Sequence, residues 1–168
     1  NINYSTTKST NLVSIIVDGL NIKSLKPNKK PVLCIGLSCY DLTTGNGAVY
    51  ETVSNSNDVM YALDDSIRFL ENYPPCEIIF DCTKNLKKYL SINQRINNMT
   101  IDDIFSYLGF SDENTVYKNH NLDQLTSISY QKEIINQVFN HKSNLSCIDE
   151  LGLAYYNLAR LSLVSILE

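Results

Sequence analysis

A β-branched run, Leu12-Val13-Ser14-Ile15-Ile16-Val17, is followed at once by Asp18-Gly19. A short continuous apolar segment closed by a turn dipeptide predicts a buried strand. Lys23 to Pro31 is basic and holds Pro27, Asn28 and Pro31, so it reads as a hairpin loop. Val32 to Leu42 predicts a second strand, Thr43-Thr44-Gly45-Asn46-Gly47 a turn, and Ala48 to Val53 a third strand. Three strands with two short connections make an antiparallel meander. Asn57 or Asp58 then caps a helix running to about Asn72, with Val59, Leu63, Ile67 and Leu70 at helical spacing. Pro74-Pro75 stops that helix, and Cys76 to Phe80 is a compact apolar strand ended by Asp81. Thr83 caps a short helix carrying Lys84, Lys87 and Lys88. Ile101–Leu108 reads as helix, Thr115-Val116-Tyr117 as a short edge strand, and Ile128–Phe139 and Ile148–Glu168 as the last two helices.

This order predicts an α/β domain with a mixed sheet of about five strands, the meander plus parallel strands, flanked by helices. In the common arrangement of such an order the first and fourth strands lie side by side and parallel, as in RNase H-like folds. A length of 168 residues suits one domain. A net charge of -4 argues against a broad basic surface for nucleic acid, so direct DNA binding should be weak or nil. No apolar run approaches the roughly 20 residues that cross a bilayer, and no membrane partner is expected. The five cysteines form no CxxC pair and are odd in number, which suggests buried hydrophobes in a reducing, intracellular compartment.

Candidate chemistry is sparse. Among six glycines neither GxGxxG nor GxxxxGKS occurs, so ATP binding by this segment is not expected. Asp18 and Asp81 end strands that should be neighbours, which raises the alternative of an RNase H-like, metal-dependent nuclease. Against it, Asp18 begins a turn with Gly19, Asp41 reads as a strand-ending turn residue, and Asp64 and Asp65 read as a helix surface. His120 and His141 lack metal-ligand spacing. Lys84, Lys87 and Lys88 read as a solvated face rather than a DNA contact, and Tyr155, Tyr156 and Arg160 as packing at a domain boundary. No catalytic, cofactor-binding or metal residue is assigned.

Three stretches carry a resemblance. They are Ile35-Gly36-Leu37-Ser38-Cys39-Tyr40-Asp41-Leu42-Thr43-Thr44-Gly45, Tyr73-Pro74-Pro75-Cys76-Glu77-Ile78-Ile79-Phe80, and Gly152 to Leu163. In this order they resemble the connector domain of the MutS family of DNA mismatch repair proteins. The Asn- and Tyr-rich character is closest to the giant-virus and coral-mitochondrial branch, which implies a viral replication site or an organelle. The resemblance implies an RNase H-like connector that joins mismatch recognition to the ATPase core and transmits conformational signals. Its partners would be the other domains of the parent protein, mismatched DNA through that parent, and a MutL-like protein. ATP and Mg would belong to the parent only. The family's Phe-x-Glu mismatch reader is expected to be absent here. An unrelated protein-interaction module is the remaining alternative.

Residues 1–168 are thus expected to be one connector-type domain excised from a longer protein, with 1–11 a flexible lead-in. The span 148–168 is expected to begin a helix leading to the next domain. Leu158, Leu161, Leu163, Val164 and Leu167 give that helix apolar character on several sides, which calls for more than one packing partner. They are the expected interdomain contacts.

Overall fold

A computed structural model describes residues 9–20, 30–110, 115–117, 122–139 and 145–168. Its strands are β1 Asn11–Leu20, β2 Val32–Asp41, β3 Gly47–Val53, β4 Pro75–Cys82 and β5 Thr115–Tyr117. Its helices are α1 Tyr61–Asn72, α2 Lys84–Asn93, α3 Ile101–Tyr107, α4 Leu122–Leu125, α5 Ile128–Phe139, α6 Cys147–Glu150 and α7 Asn157–Leu167. His120, His141, residues 1–8 of the expected lead-in and residues 23–29 of the expected hairpin loop lie outside the described residues.

The five strands form one open mixed sheet in the order β3-β2-β1-β4-β5. β1 pairs antiparallel with β2 and β2 with β3, while β1 pairs parallel with β4 and β4 with β5. The meander, the parallel first and fourth strands and the short edge strand all stand as expected. β1 is longer than its apolar run: Asp18 and Gly19 stay in the ladder opposite Cys34 and Leu33. Asp18 is therefore a strand residue and not the start of a turn, because β2 continues alongside it and satisfies its backbone.

Strand alternation divides the core into two. Val13, Ile15 and Val17 face one side with Ile35, Leu37, Phe80 and the buried residues of α1, α2 and α3. Ile16 and Cys34 face the other, under Leu122, Leu125, Ile135, Ile148, Leu158, Leu161, Leu163 and Val164. A central strand covered on both faces must be apolar at odd and even positions alike, which explains the unbroken run in the sequence.

α1 starts later than expected. Asn57 and Asp58 lie in a preceding turn, with Asn55 Oδ1 accepting their two amides. The Ser54 hydroxyl, at the end of β3, takes the Ala62 amide of the new helix instead. α2 begins as read, with Thr83 accepting the Leu86 amide.

The expected single helix over 148–168 is two. Gly152 adopts φ +69°. The Leu153 amide reaches back to the Ile148 carbonyl at 2.9 Å and the Gly152 amide to the Asp149 carbonyl at 3.0 Å. This pair of bonds is the Schellman arrangement that ends a helix, and glycine enters its left-handed position without a Cβ penalty. The chain then resumes as α7.

α7 lies across β2, and two residues let it do so. Gly36 leaves room for backbone: a Cβ there would sit 2.2 Å from the Leu158 carbonyl carbon. Glu51, opposite Gly36 on β3, accepts the Leu158 amide at 2.8 Å and the Ala159 amide at 3.0 Å. A carboxylate on the first amides of a helix satisfies otherwise orphaned donors and meets the positive end of the dipole.

Candidate functional site at the ends of the parallel strands

The carboxyl ends of β1 and β4 bring Asp18 and Asp81 to one side of the sheet. Asp81 is in register with Ile16, and Asp18 lies two residues further along the same strand. The sequence anticipated this neighbourhood but not how it is satisfied. Asp81 is 5% exposed, takes the Cys82 amide at 2.7 Å, and is ion-paired with the Lys87 ammonium. Asp18 takes the Gly19 amide at 2.8 Å and a hydroxyl hydrogen bond from Thr83. Both carboxylates are thus engaged by protein donors. Among the described residues no cluster of three or more His, Cys, Asp or Glu is arranged to hold a metal ion.

The other acidic residues have structural employment. Asp41 organises the β2–β3 turn, accepting Thr10 Oγ1 at 2.7 Å, the Thr43 amide at 2.8 Å and Thr44 Oγ1 at 2.8 Å. Those hydrogen bonds, Thr10 foremost, hold its carboxyl well below the usual range. Asp65 and Asp64 accept the hydroxyls of Tyr50 and Tyr107 at 2.6 and 2.7 Å, which ties β3 and α3 to α1. The Asp65 bond is the main reason that the Tyr50 hydroxyl is pushed up to about 12.

Of the basic face, Lys84 pairs with Asp123 at 3.3 Å and Lys87 with Asp81, while Lys88 is exposed. The cysteines of the strands fit the structural reading. Burial lifts Cys34 to about 12, with Glu51 and Asp18 adding to it, and lifts Cys39 to about 11.

Arg160 is not a boundary residue. It is 7% exposed and donates Nε to Gln131 Oε1 at 2.6 Å, Nη1 to the Leu153 carbonyl at 2.8 Å and the Ala154 carbonyl at 3.2 Å, and Nη2 to Asn157 Oδ1 at 2.9 Å. Gln131 in turn donates to the Leu125 carbonyl at 2.7 Å. One guanidinium thereby joins α4, α5, the α6–α7 link and α7. Tyr155 and Tyr156, expected to pack, are 91% and 52% exposed.

The expected interdomain residues of α7 are mostly spoken for. Leu158, Leu161, Leu163 and Val164 are between 0% and 8% exposed, and Leu167 is partly buried against the same cluster. Within the described residues the sheet on one side and α4 and α5 on the other cover these side chains.

The sequence also holds one Phe-x-Glu tripeptide after all, Phe69-Leu70-Glu71. Phe69 is 8% exposed in α1, with its ring 6.2 Å from that of Tyr50 and 4.8 Å from that of Tyr73. It is a core side chain and cannot be presented to a base pair from there.

The three resemblance stretches mark joints of the fold. The first supplies Gly36 and the Asp41–Gly45 turn; the second passes from α1 to β4; the third supplies the Gly152 stop and the start of α7. The first and third meet in space at Gly36 and Leu158.

No family model matches the chain. It is 26% identical over 161 residues to a protein described as a DNA mismatch repair mutS homolog of Acanthamoeba polyphaga mimivirus. The match covers 87% of this chain, whereas the chain spans 14% of the length of that relative. By this similarity the chain stands in a MutS-like relationship, to one segment of the viral protein.

Proposed function

We propose that this chain is the connector domain of a MutS-like mismatch repair protein, non-catalytic in itself. Its role is to link mismatch recognition to the ATPase core and to offer a docking surface to a MutL-like partner. The carrying observation is the 26% identity to a mutS homolog across 87% of the chain. The strand order, with β1 and β4 adjacent and parallel, is compatible with the RNase H-like fold that this reading requires. ATP and Mg act in the parent protein, and mismatched DNA is met through that parent.

Absence of catalysis is supported by the way the two central carboxylates are engaged. A two-cation phosphodiester mechanism needs carboxylate oxygens available to both ions. Asp81 is instead neutralised by Lys87, and Asp18 is held by Thr83 and Gly19.

The test has two arms. With Mg²⁺ or Mn²⁺, this chain should leave duplex and hybrid substrates intact; cleavage lost on Asp18→Asn or Asp81→Asn would establish the nuclease alternative. In the parent protein, Gly36→Ala should leave mismatch binding in place and uncouple it from ATP turnover. Unchanged coupling would remove the connector role.

A further inference from the structure

β3 forms one end of the sheet, and its sequence leaves that end unguarded. Sheet edges are ordinarily blunted by brevity, lysine, proline or a bulge, because unpaired backbone groups are a template for another strand. β5, at the opposite end, is short, with three residues. β3 has seven, holds no lysine or proline, and stays in unbroken register with β2. Its one charged side chain does not guard the edge, because the Glu51 carboxylate is turned to the Leu158 and Ala159 amides. Tyr50 and Val53 remain 40% and 39% exposed on this strand.

The register fixes which backbone groups look outward. The Ser54 amide bonds to the Leu33 carbonyl opposite it, and the Asp41 amide to the Asn46 carbonyl opposite it. In an antiparallel ladder such bonded pairs alternate with unbonded ones, so Ala48, Tyr50 and Thr52 turn their amides and carbonyls to β2. Gly47, Val49, Glu51 and Val53 turn theirs away, and among the described residues no backbone hydrogen bond from another element reaches them. The strand therefore begins and ends on an outward residue, with Tyr50 at its centre. Laid antiparallel against a copy of itself about Tyr50, it brings outward residues opposite one another, Gly47 to Val53 and Val49 to Glu51. The side chains agree with this register. Gly47 with Val53 and Ala48 with Thr52 set a small residue against a larger one, and no like charges are apposed. Tyr50 meets its own counterpart, each ring already stacked on Phe69 and each hydroxyl held by Asp65. Registers slipped by two residues leave strand ends unpaired, and one of them sets Glu51 against its own copy.

We propose that β3 is a self-pairing edge, through which two copies of this chain join antiparallel about Tyr50 into one continuous sheet. The twofold axis runs perpendicular to the sheet, so the two α7 layers lie on the same side of it. Seven paired residues span about 24 Å, and the sheet with its helical layers is roughly 20 Å deep. Each copy then covers about 500 Å², and the total, on the order of 1,000 Å², is at the lower bound of specific interfaces. The expected dimer is weak, with a Kd on the order of 10–100 μM. The pairing is independent of the connector reading.

The experiment is sedimentation equilibrium of the whole chain from about 1 to 500 μM, with amide hydrogen exchange followed by NMR toward both ends of that range. The mass should rise from 19.0 kDa toward twice that value. At high concentration the Val49 and Glu51 amides should gain protection, while those of Ala48, Tyr50 and Thr52, already bonded to β2, should change little. Val53→Pro deletes an outward donor twice by symmetry and spares the β2 ladder, so it should weaken the dimer about tenfold or more with the circular dichroism spectrum retained. Ile92→Lys, at a position of α2 that is 72% exposed, should leave the dimer unchanged. If Val53→Pro does not fold, the exchange pattern of the unaltered chain decides. The proposal is overturned by a monomer across the whole range, by an unaltered dimer in folded Val53→Pro, by equal losses from both variants, or by protection that ignores the alternation. A chain that stays monomeric yet gains the alternating protection from an added synthetic Gly47–Val53 peptide also overturns it, and assigns the edge to a free extended segment instead.

Discussion

Adding one methyl group at Gly36 tests whether α7 depends on backbone-to-backbone approach. The new Cβ would lie 2.2 Å from the Leu158 carbonyl carbon, 2.3 Å from its oxygen and 2.7 Å from the Ala159 nitrogen. All three are main-chain atoms of the first turn of α7, so no rotamer change relieves the clash. To restore van der Waals distance the turn must retreat by roughly 1 Å or more. The amides that hold Glu51 at 2.8 and 3.0 Å belong to that turn and would move beyond hydrogen-bonding range. Overpacking costs about 1–3 kcal/mol and loss of an N-terminal cap about 0.5–2 kcal/mol, so Gly36→Ala should cost roughly 3 kcal/mol. For a domain of this size that is a fall in Tm of about 6–12 °C. Urea unfolding followed by circular dichroism gives the number directly, with a lower midpoint and an unchanged slope. Glu51→Gln should cost about 1 kcal/mol alone and less in the Gly36→Ala background, because the displaced helix has already left its cap. A loss below about 0.5 kcal/mol in Gly36→Ala, with Glu51→Gln still costing its full amount there, would refute the reasoning.

Lys87→Met leaves Asp81 buried without its cation; Lys87 is half-exposed, so the expected loss in urea unfolding is about 2 kcal/mol, and Asp81→Asn in the same chain should recover most of it. Tyr50 is raised by its bond to Asp65, so its contribution is full below the ordinary tyrosine value near 10 and is lost as pH rises toward about 12. The urea midpoint of Tyr50→Phe should accordingly converge on that of the wild type across this alkaline window, and a constant gap would count against the bond. Asp41 is lowered, so its support is present above the ordinary carboxylate value and fades as pH falls below it. Asp41→Asn should lower Tm at neutral pH by an amount that shrinks in acid. Among the described thiols, Cys76 is the partly exposed one while Cys34 and Cys39 are buried and raised, so alkylation mapped by mass spectrometry at mild alkaline pH should reach Cys76 first.

Much of the architecture was legible because local chemistry and burial agree. The apolar run of β1, the Thr83 cap and the turn cluster after β2 each carry their own signal. Asp18 misled because a polar residue beside glycine resembles a turn, while what kept it in the ladder was the opposing length of β2. The C-terminal segment misled for the opposite reason. Gly152 is a local stop, but the leucines around it form a helical pattern on both sides, and the periodicity outweighed the glycine. The supports of α7 were illegible in principle: Glu51 and Leu158 are 107 positions apart. A glycine in mid-strand was the one available hint of close approach at Gly36. Arg160 likewise gave no sign of its role, since its partners are two backbone carbonyls, a glutamine and an asparagine spread over three elements. The Asp18–Asp81 neighbourhood followed from strand order, whereas the lysine that neutralises Asp81 comes from a helix turn that the pattern reads only as basic.

The placement of α7 also governs how the chain comes off the ribosome. The sheet and the layer over Val13, Ile15 and Val17 are complete, apart from the edge strand, by Phe110, whereas much of the cover for Ile16 and Cys34 arrives with residues 157–167. At ordinary rates of synthesis the intervening stretch takes several seconds to emerge. Until then one face of the nascent sheet lacks the cover that α7 supplies, with Ser14 and Ser38 side by side on it. In the finished fold these two hydroxyls are buried without a hydrogen-bond partner. Their polarity keeps a strip of the waiting face wettable, at a small cost to the folded state once α7 has closed over it.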